Sequence, residues 1–312
     1  MKTLLFILLI CGYAHGEMAH LTKIAPEWHQ ETLKPFNELI LSWNGDRPEQ
    51  GKIDLYIRVK TEEWSSWLHY ASWSKDEQCT FNETMDDVKS YQDAIELLNG
   101  KKASAFEVKI VSASQDSLHA LHVYTNGDKQ SEPIPFYPLE PVHIDVKGLS
   151  QMALKHTRSQ SLCSTTSTTA VLRYLTQSPI DPLEFAAHAR DHGFDIYGNW
   201  ILNTAQASAE LGSDWNCWVE RLDGFSDIHN RLIRGFPVVI SIRGPLQGSA
   251  LPYEQGHLIA IIGYQPVGKR VLCMDPAFPC DEETVVSYDL GDLIQAWSRR
   301  GRVAYLFESK KG

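Results

Sequence analysis

The chain has 312 residues, 43% apolar and 22% charged, so a disordered or fibrous protein is excluded and two domains are expected. Its 29 basic and 39 acidic residues give a formal charge of −10. That balance argues against nucleic-acid binding, which calls for a basic face. The one long apolar run lies at the N-terminus and is too short to span a bilayer, so no integral membrane segment is expected.

Met1-Lys2-Thr3 precedes an apolar run from Leu4 to Cys11, and small residues at Ala14 and Gly16 follow. This reads as a secretory signal peptide over residues 1–16, with the mature chain starting near Glu17 in a periplasmic, cell-surface or secreted location. Cys11 admits lipidation, although Ile10 before it is bulkier than a lipobox normally holds. The mature chain keeps Cys79, Cys163, Cys217, Cys273 and Cys280. An odd number of cysteines in an oxidising compartment leaves at least one thiol free. Cys273 and Cys280 are the easiest pair to propose as a disulfide, and three pairings remain open if Cys163 is the free one.

Residues 17–130 have the grammar of a β-sandwich. Phe36 to Trp43 ends at the turn Asn44-Gly45-Asp46, and Ile53 to Val59 alternates apolar and polar with period two. Trp64 to Tyr70, Ala105 to Val111 and Leu118 to Tyr124 behave similarly, while Tyr91 to Leu98 fits either a short helix or a strand. Trp43, Trp64, Trp67 and Trp73 supply core material, or aromatic faces for a carbohydrate or peptide. Asn82-Glu83-Thr84 is a glycosylation sequon, meaningful only in a eukaryotic secretory pathway. Pro133, Pro135, Pro138 and Pro141 then mark a linker over 131–146, because proline lacks a backbone donor and fixes its own φ.

Residues 147–312 mix helices with strands, an α+β arrangement. Helices are expected over Ser164 to Leu175, Pro182 to His192, Asn203 to Leu211 and Phe225 to Arg234, with Asp181 capping the second and Gly235 stopping the fourth. Strands are expected over Pro237 to Ile242, His257 to Tyr264, Arg270 to Met274 and Val303 to Phe307. The second of these is apolar throughout, as in a strand buried on both faces. His188 and His192 share a helical face at metal-ligand spacing, but no third ligand is evident and a solvated face is favoured.

Three residues in this half carry chemistry together. Cys163 stands at a helix start, where backbone N–H groups favour a thiolate and can receive an oxyanion. His257 follows Gly256 and begins a strand, where a general base can face a cleft. Asp275 ends the next strand, one hairpin away, close enough to hold the histidine's tautomer. Each alone has a structural reading: a core cysteine, a satisfied histidine, an Asp-Pro turn. The order Cys, His, Asp on helix, strand and strand is far more specific than any member.

At this point the sequence resembles the C39-like papain-fold cysteine peptidases. The resemblance rests on Cys163 at its helix, on Gly256-His257 through Gly263-Tyr264, and on Asp275-Pro276-Ala277, and it runs from about Leu149 to Phe307. Val286-Ser287-Tyr288, Leu293 to Trp297 and Val303 to Leu306 look like the closing segment of secreted members, and the Leu41-Ser42-Trp43-Asn44 and Trp64-Ser65-Ser66-Trp67 half is similar to the β-domain that precedes some of them. The resemblance implies a papain-like peptidase domain and an oxyanion-hole glutamine, for which Gln151 is chosen over Gln160. One departure stands out: Cys163-Ser164-Thr165 replaces the family's Cys-Gly-Pro. The implied activity is hydrolysis of a peptide or amide bond through a thioester, without metal or organic cofactor. A monomer is expected. Its substrates would be peptides or proteins, with cell-envelope and host proteins among the candidates. Competing readings are a transglutaminase-like acyltransferase and an inactive papain-fold binding module.

Overall fold

The computed structural model describes residues 16–112, 117–127 and 136–311. The expected signal peptide therefore lies outside the described residues except for Gly16, and so do Pro133 and Pro135 of the expected linker. The described chain is built mostly of antiparallel sheets with five α-helices, an α+β arrangement.

The first eleven strands are β1 (Gly16–Leu21), β2 (Glu27–Phe36), β3 (Glu38–Gly45), β4 (Lys52–Lys60), β5 (Leu68–Ser74), β6 (Cys79–Thr80), β7 (Asn82–Met85), β8 (Val88–Tyr91), β9 (Ala94–Leu97), β10 (Ala103–Ser112) and β11 (Leu118–Asn126). They form two antiparallel sheets, one in the order β1-β11-β3-β9-β8-β7 and one in the order β2-β10-β4-β5-β6. The period-two pattern of β4 does what it should: Ile53, Leu55, Ile57 and Val59 are all fully buried. The undecided stretch near Leu97 is strand β9. Trp43 and Trp73 are buried core residues in edge-on contact, whereas Trp64 and Trp67 are half-buried and both lie against the Arg58 guanidinium. The expected strand from Trp64 begins only at Leu68, because Trp64 makes an isolated bridge to Lys60 instead.

The second region holds α1 (Cys163–Thr176), α2 (Pro182–Ala189), α3 (Trp200–Leu211), α4 (Phe225–Ile233) and α5 (Leu290–Ser298). Its strands are β12 (Val142–His143), β13 (Trp215–Arg221), β14 (Val238–Ile242), β15 (His257–Gln265), β16 (Arg270–Met274), β17 (Val285–Asp289) and β18 (Val303–Ser309). They make one antiparallel sheet in the order β13-β18-β14-β15-β16-β17, with β12 added onto β15. The last residues of the expected linker are thus part of this sheet, and Ile144 and Val146 are buried. Strand β15 is buried from His257 to Tyr264, as its unbroken apolar run implies, and both α1 and α4 pack on it.

Two expectations need correction here. Helix α2 ends at Ala189, because Arg190 turns to an extended conformation, so His188 and His192 do not share a helical face. His192 instead hydrogen-bonds to the Gln78 carbonyl, and no metal-ligating cluster occurs among the described residues. The second concerns the cysteines: Cys79, Cys163, Cys217, Cys273 and Cys280 are all free thiols. Cys273 is sealed inside β16, while Cys280 lies beyond the Asp275 turn; Cys217 is buried in β13, at the other edge of the sheet.

The two regions share one continuous hydrophobic core running from Trp28 to Phe307, with specific polar contacts across the join. Strand β13 is an edge strand, and edge N–H and C=O groups need partners. The Asn44 side chain supplies both, donating to the Cys217 carbonyl at 2.6 Å and accepting from the Cys217 N–H at 2.9 Å. Ser42 Oγ accepts from the Val219 N–H at 3.0 Å. Glu38 holds Arg221 through two 2.6 Å contacts, and the Asp93 carboxylate caps α3 by accepting from the Trp200 N–H. Burial pushes the Asp93 carboxyl up to about 7 despite these backbone donors.

Candidate active site

Helix α1 opens at Cys163 with no side-chain cap and no acidic residue in its first turn. Its first N–H groups are therefore not taken up by the chain's own carboxylates. Residues 164–172 are all buried, and the first six of these are Ser or Thr with small side chains that let the helix sit close to the sheet. Leu258 joins the two elements: its carbonyl accepts from Ser167 Oγ at 3.0 Å, and its N–H hydrogen-bonds to the Cys163 sulfur. The Ser164 N–H also reaches that sulfur. The residues that replace the family's Gly-Pro are absorbed locally. Ser164 Oγ pairs with the Tyr305 hydroxyl at 2.9 Å, and Thr165 Oγ1 donates to the Leu162 carbonyl at 3.0 Å.

Strands β15 and β16 form the expected hairpin, and the structure brings Cys163, His257 and Asp275 together. His257 Nε2 lies 2.8 Å from Asp275 Oδ1. The Cys163 thiol interacts with the same imidazole, and Nδ1 is the ring nitrogen that Asp275 leaves free for it. Cys163 is half-buried, while His257 and Asp275 are buried.

Each charge is set by opposing causes. Burial alone would push the Cys163 thiol up, but its hydrogen bond to His257, the charge of that ring and the two backbone N–H groups hold it below the ordinary thiol range. Burial would likewise lower His257, yet Asp275 and Cys163 raise it to about 9. Burial works against ionised Asp275 too, and is outweighed first by His257 and then by two tyrosines. The shifts all favour a thiolate–imidazolium pair held by a carboxylate.

Asp275 is saturated with donors. Its Oδ1 accepts from His257 and, at 3.1 Å, from the Ala277 N–H; its Oδ2 accepts from Tyr253 at 2.7 Å and Tyr288 at 2.6 Å. The Ala277 contact explains the Asp-Pro-Ala segment physically, since the turn after Asp275 folds a backbone donor back onto the carboxylate. The two tyrosines were not singled out from sequence as site residues. Tyr288 falls in the segment that resembles the closing part of secreted family members, but nothing local ties either hydroxyl to Asp275.

Gln151 is buried, and its backbone N–H donates to the Pro276 carbonyl at 2.9 Å, next to Asp275. Its Nε2 donates to the Ser159 carbonyl at 3.1 Å, and Oε1 has no partner. One amide hydrogen is thus in use and the other is uncommitted. Gly148 permits this arrangement, because a Cβ there would fall about 2.0 Å from the Asp281 carbonyl. Gln160 is exposed on the short turn before α1.

A family model described as the peptidase C39-like family matches residues 143–305, just over half of the chain. The chain belongs to this C39-like family. Among solved structures, it is similar to one described as a candidate C39-like peptidase from Bacillus anthracis. That likeness has 18% identity and a TM-score of 0.43, and covers 55% of this chain and 98% of that one. No curated protein matches it. Membership of this family points to cysteine peptidase activity on a protein or peptide substrate. No described helix is long and apolar enough to cross a membrane.

Proposed function

We propose that the protein is a secreted cysteine peptidase that hydrolyses peptide or amide bonds through Cys163, His257 and Asp275. Residues 1–16 serve as the signal peptide, 17–130 form a β-sandwich domain, and 147–312 form a papain-like peptidase domain. The observation that carries this reading is the placement of His257 between its partners, bonded to Asp275 at 2.8 Å through Nε2 and interacting electrostatically with the Cys163 thiol. A nucleophile, a base and an orienting group within hydrogen-bond reach are what acyl transfer needs.

The reaction follows from the charges. His257 already holds the proton of Cys163, so the thiolate attacks the substrate carbonyl carbon directly. The carbonyl oxygen gains negative charge and is received by the uncommitted Gln151 amide hydrogen and the Cys163 backbone N–H. His257 gives its proton to the departing amine as the C–N bond breaks, leaving a thioester. Neutral His257 then takes a proton from water, the hydroxide adds to the thioester, and collapse releases the acid and the thiolate. Asp275 keeps Nε2 protonated throughout, which leaves Nδ1 to exchange the proton with sulfur and substrate.

The test is incubation of the mature protein with a peptide library in ¹⁸O-labelled water. New carboxyl termini carrying the label, absent with Cys163→Ala, are expected. Products joined to an added amine in place of labelled acids would overturn hydrolysis, and no product from any peptide with wild type would remove the support for catalysis.

A further inference from the structure

We propose that Tyr253 is a positioning residue for this site, its ring clamping the His257 imidazole in the orientation that joins Asp275 to Cys163. The inference rests on the peptidase reading above and adds a residue that reading does not need. The Tyr253 ring lies against the His257 ring with centroids 4.0 Å apart and planes 16° from parallel. The face of a phenol attracts a cation, so the stack favours the imidazolium form that the thiolate requires. Its hydroxyl meanwhile donates to Asp275 Oδ2 at 2.7 Å, fixing the ring at its far end. One side chain therefore touches both the histidine and its orienting carboxylate.

The backbone points the same way. Tyr253 has φ +50°, a left-handed conformation that is out of place for a bulky aromatic. Such strain persists only where the surroundings over-determine it. Here the Tyr253 carbonyl accepts from the Gly244 N–H and the Gly256 N–H, each at 3.0 Å, which ties the residue to both ends of the loop between β14 and β15. Gly244 and Gly256 themselves have positive φ, +79° and +101°, so the loop's shape depends on residues at both ends that tolerate it. A glycine at 253 would fit this backbone without strain; a tyrosine there, almost fully buried against the catalytic pair, is accounted for by what its ring does.

The experiment measures alkylation of Cys163 by iodoacetamide against pH, followed by peptide mapping, in wild type, Tyr253→Phe and Tyr253→Leu, with thermal unfolding recorded for each. Leucine removes the stack and phenylalanine only the hydroxyl. The expected result is a fall of about tenfold in the Tyr253→Leu rate at pH 6, with the alkylation midpoint about one unit higher and Tyr253→Phe in between. A purely structural role would lower the unfolding temperature and leave the midpoint in place. Should the leucine variant not fold, the phenylalanine variant decides, its midpoint rising by several tenths of a unit or the inference failing. Fast wild-type alkylation with unchanged midpoints in both variants overturns this inference alone. Slow alkylation of wild-type Cys163 overturns the peptidase reading, and this inference falls with it.

Discussion

The molecule contains two clusters with nearly the same residue types, and only one of them is arranged for catalysis. In the first region, Cys79, His69, Asp54 and Ser72 lie together on β4, β5 and β6. His69 Nε2 sits 3.2 Å from Asp54 and 3.3 Å from Ser72, and Ser72 also donates to that same Asp54 oxygen. Both partners fall on one ring nitrogen, so no proton path runs through the imidazole. Its faces are covered by Tyr56 and Phe81, with centroids 4.4 Å and 3.7 Å away. Burial pulls His69 down, and burial with the charge of Asp191 pushes the Cys79 thiol up. In the second region His257 is used at both ends, its pKa rises, and the Cys163 thiol comes down. The inventory of residues is shared; what differs is that Cys163 opens a helix and Asp275 meets the opposite side of the ring.

Breaking the second cluster should have the largest effects. Cys163→Ala is expected to abolish peptide hydrolysis, and His257→Ala to cost about 10²–10⁴-fold in kcat, as measured on any peptide the library identifies. Asp275→Ala leaves two buried hydroxyls, a backbone N–H and an imidazole without their acceptor. Loss of about 3 kcal/mol in stability by urea denaturation should accompany its loss of activity.

The pH dependence sharpens the same contrast. His257 keeps its proton up to about pH 9, so activity should fall as pH rises through that value. On the acid side, activity should fall only below the depressed thiol pKa of Cys163, where the thiolate takes up a proton. The profile of kcat/KM should therefore be bell-shaped, with its alkaline limb near 9 and its acid limb below the ordinary thiol range. Asp275→Asn should draw the alkaline limb downward, because the carboxylate is what raises His257.

The smallest effects belong to the first cluster and to the seam under the nucleophile. His69→Ala and Ser72→Ala should leave kcat/KM within about twofold and cost about 1–2 kcal/mol in stability, the range for buried hydrogen bonds. Ser167→Ala removes the 3.0 Å bond from α1 to the Leu258 carbonyl and should cost about 1 kcal/mol in urea, without moving the pH limbs.

What could be seen in the sequence follows from where the information lies. Cys163, His257 and Asp275 each stand at a junction that local patterns reveal: a helix start, the head of an apolar strand, an Asp-Pro stop. The helix caps were equally local. Asp181 accepts from the Leu183 and Glu184 N–H groups as its position before Pro182 implies, and the Phe225 helix stops short of Gly235, whose φ is +85°. The Asn203 helix starts three residues early, at Trp200, because Asn199 caps it by accepting from the Leu202 N–H. Strand β2 was hidden because only Trp28 and Phe36 of its ten residues are buried. It is an edge strand, which is also why it tolerates Pro35. Strand β13 was hidden because its outer edge is completed by Ser42 and Asn44, residues some 175 positions away that no local pattern connects to it. Tyr253 and Tyr288 were invisible for the same reason: their meeting point, Asp275 Oδ2, exists only once β14 to β17 have assembled.

The most direct test uses two half-buried thiols, Cys163 and Cys79, as each other's control. The mature wild-type protein is treated with iodoacetamide from pH 5 to 9, and the labelling rates of Cys163 and Cys79 are read from the same peptide maps. Cys163 should label faster than Cys79 at pH 6, with a midpoint below that of an ordinary thiol, while Cys79 stays slow until pH exceeds 9. Equal rates, or a Cys163 midpoint in the ordinary thiol range, would contradict the claim that His257 and Asp275 activate Cys163.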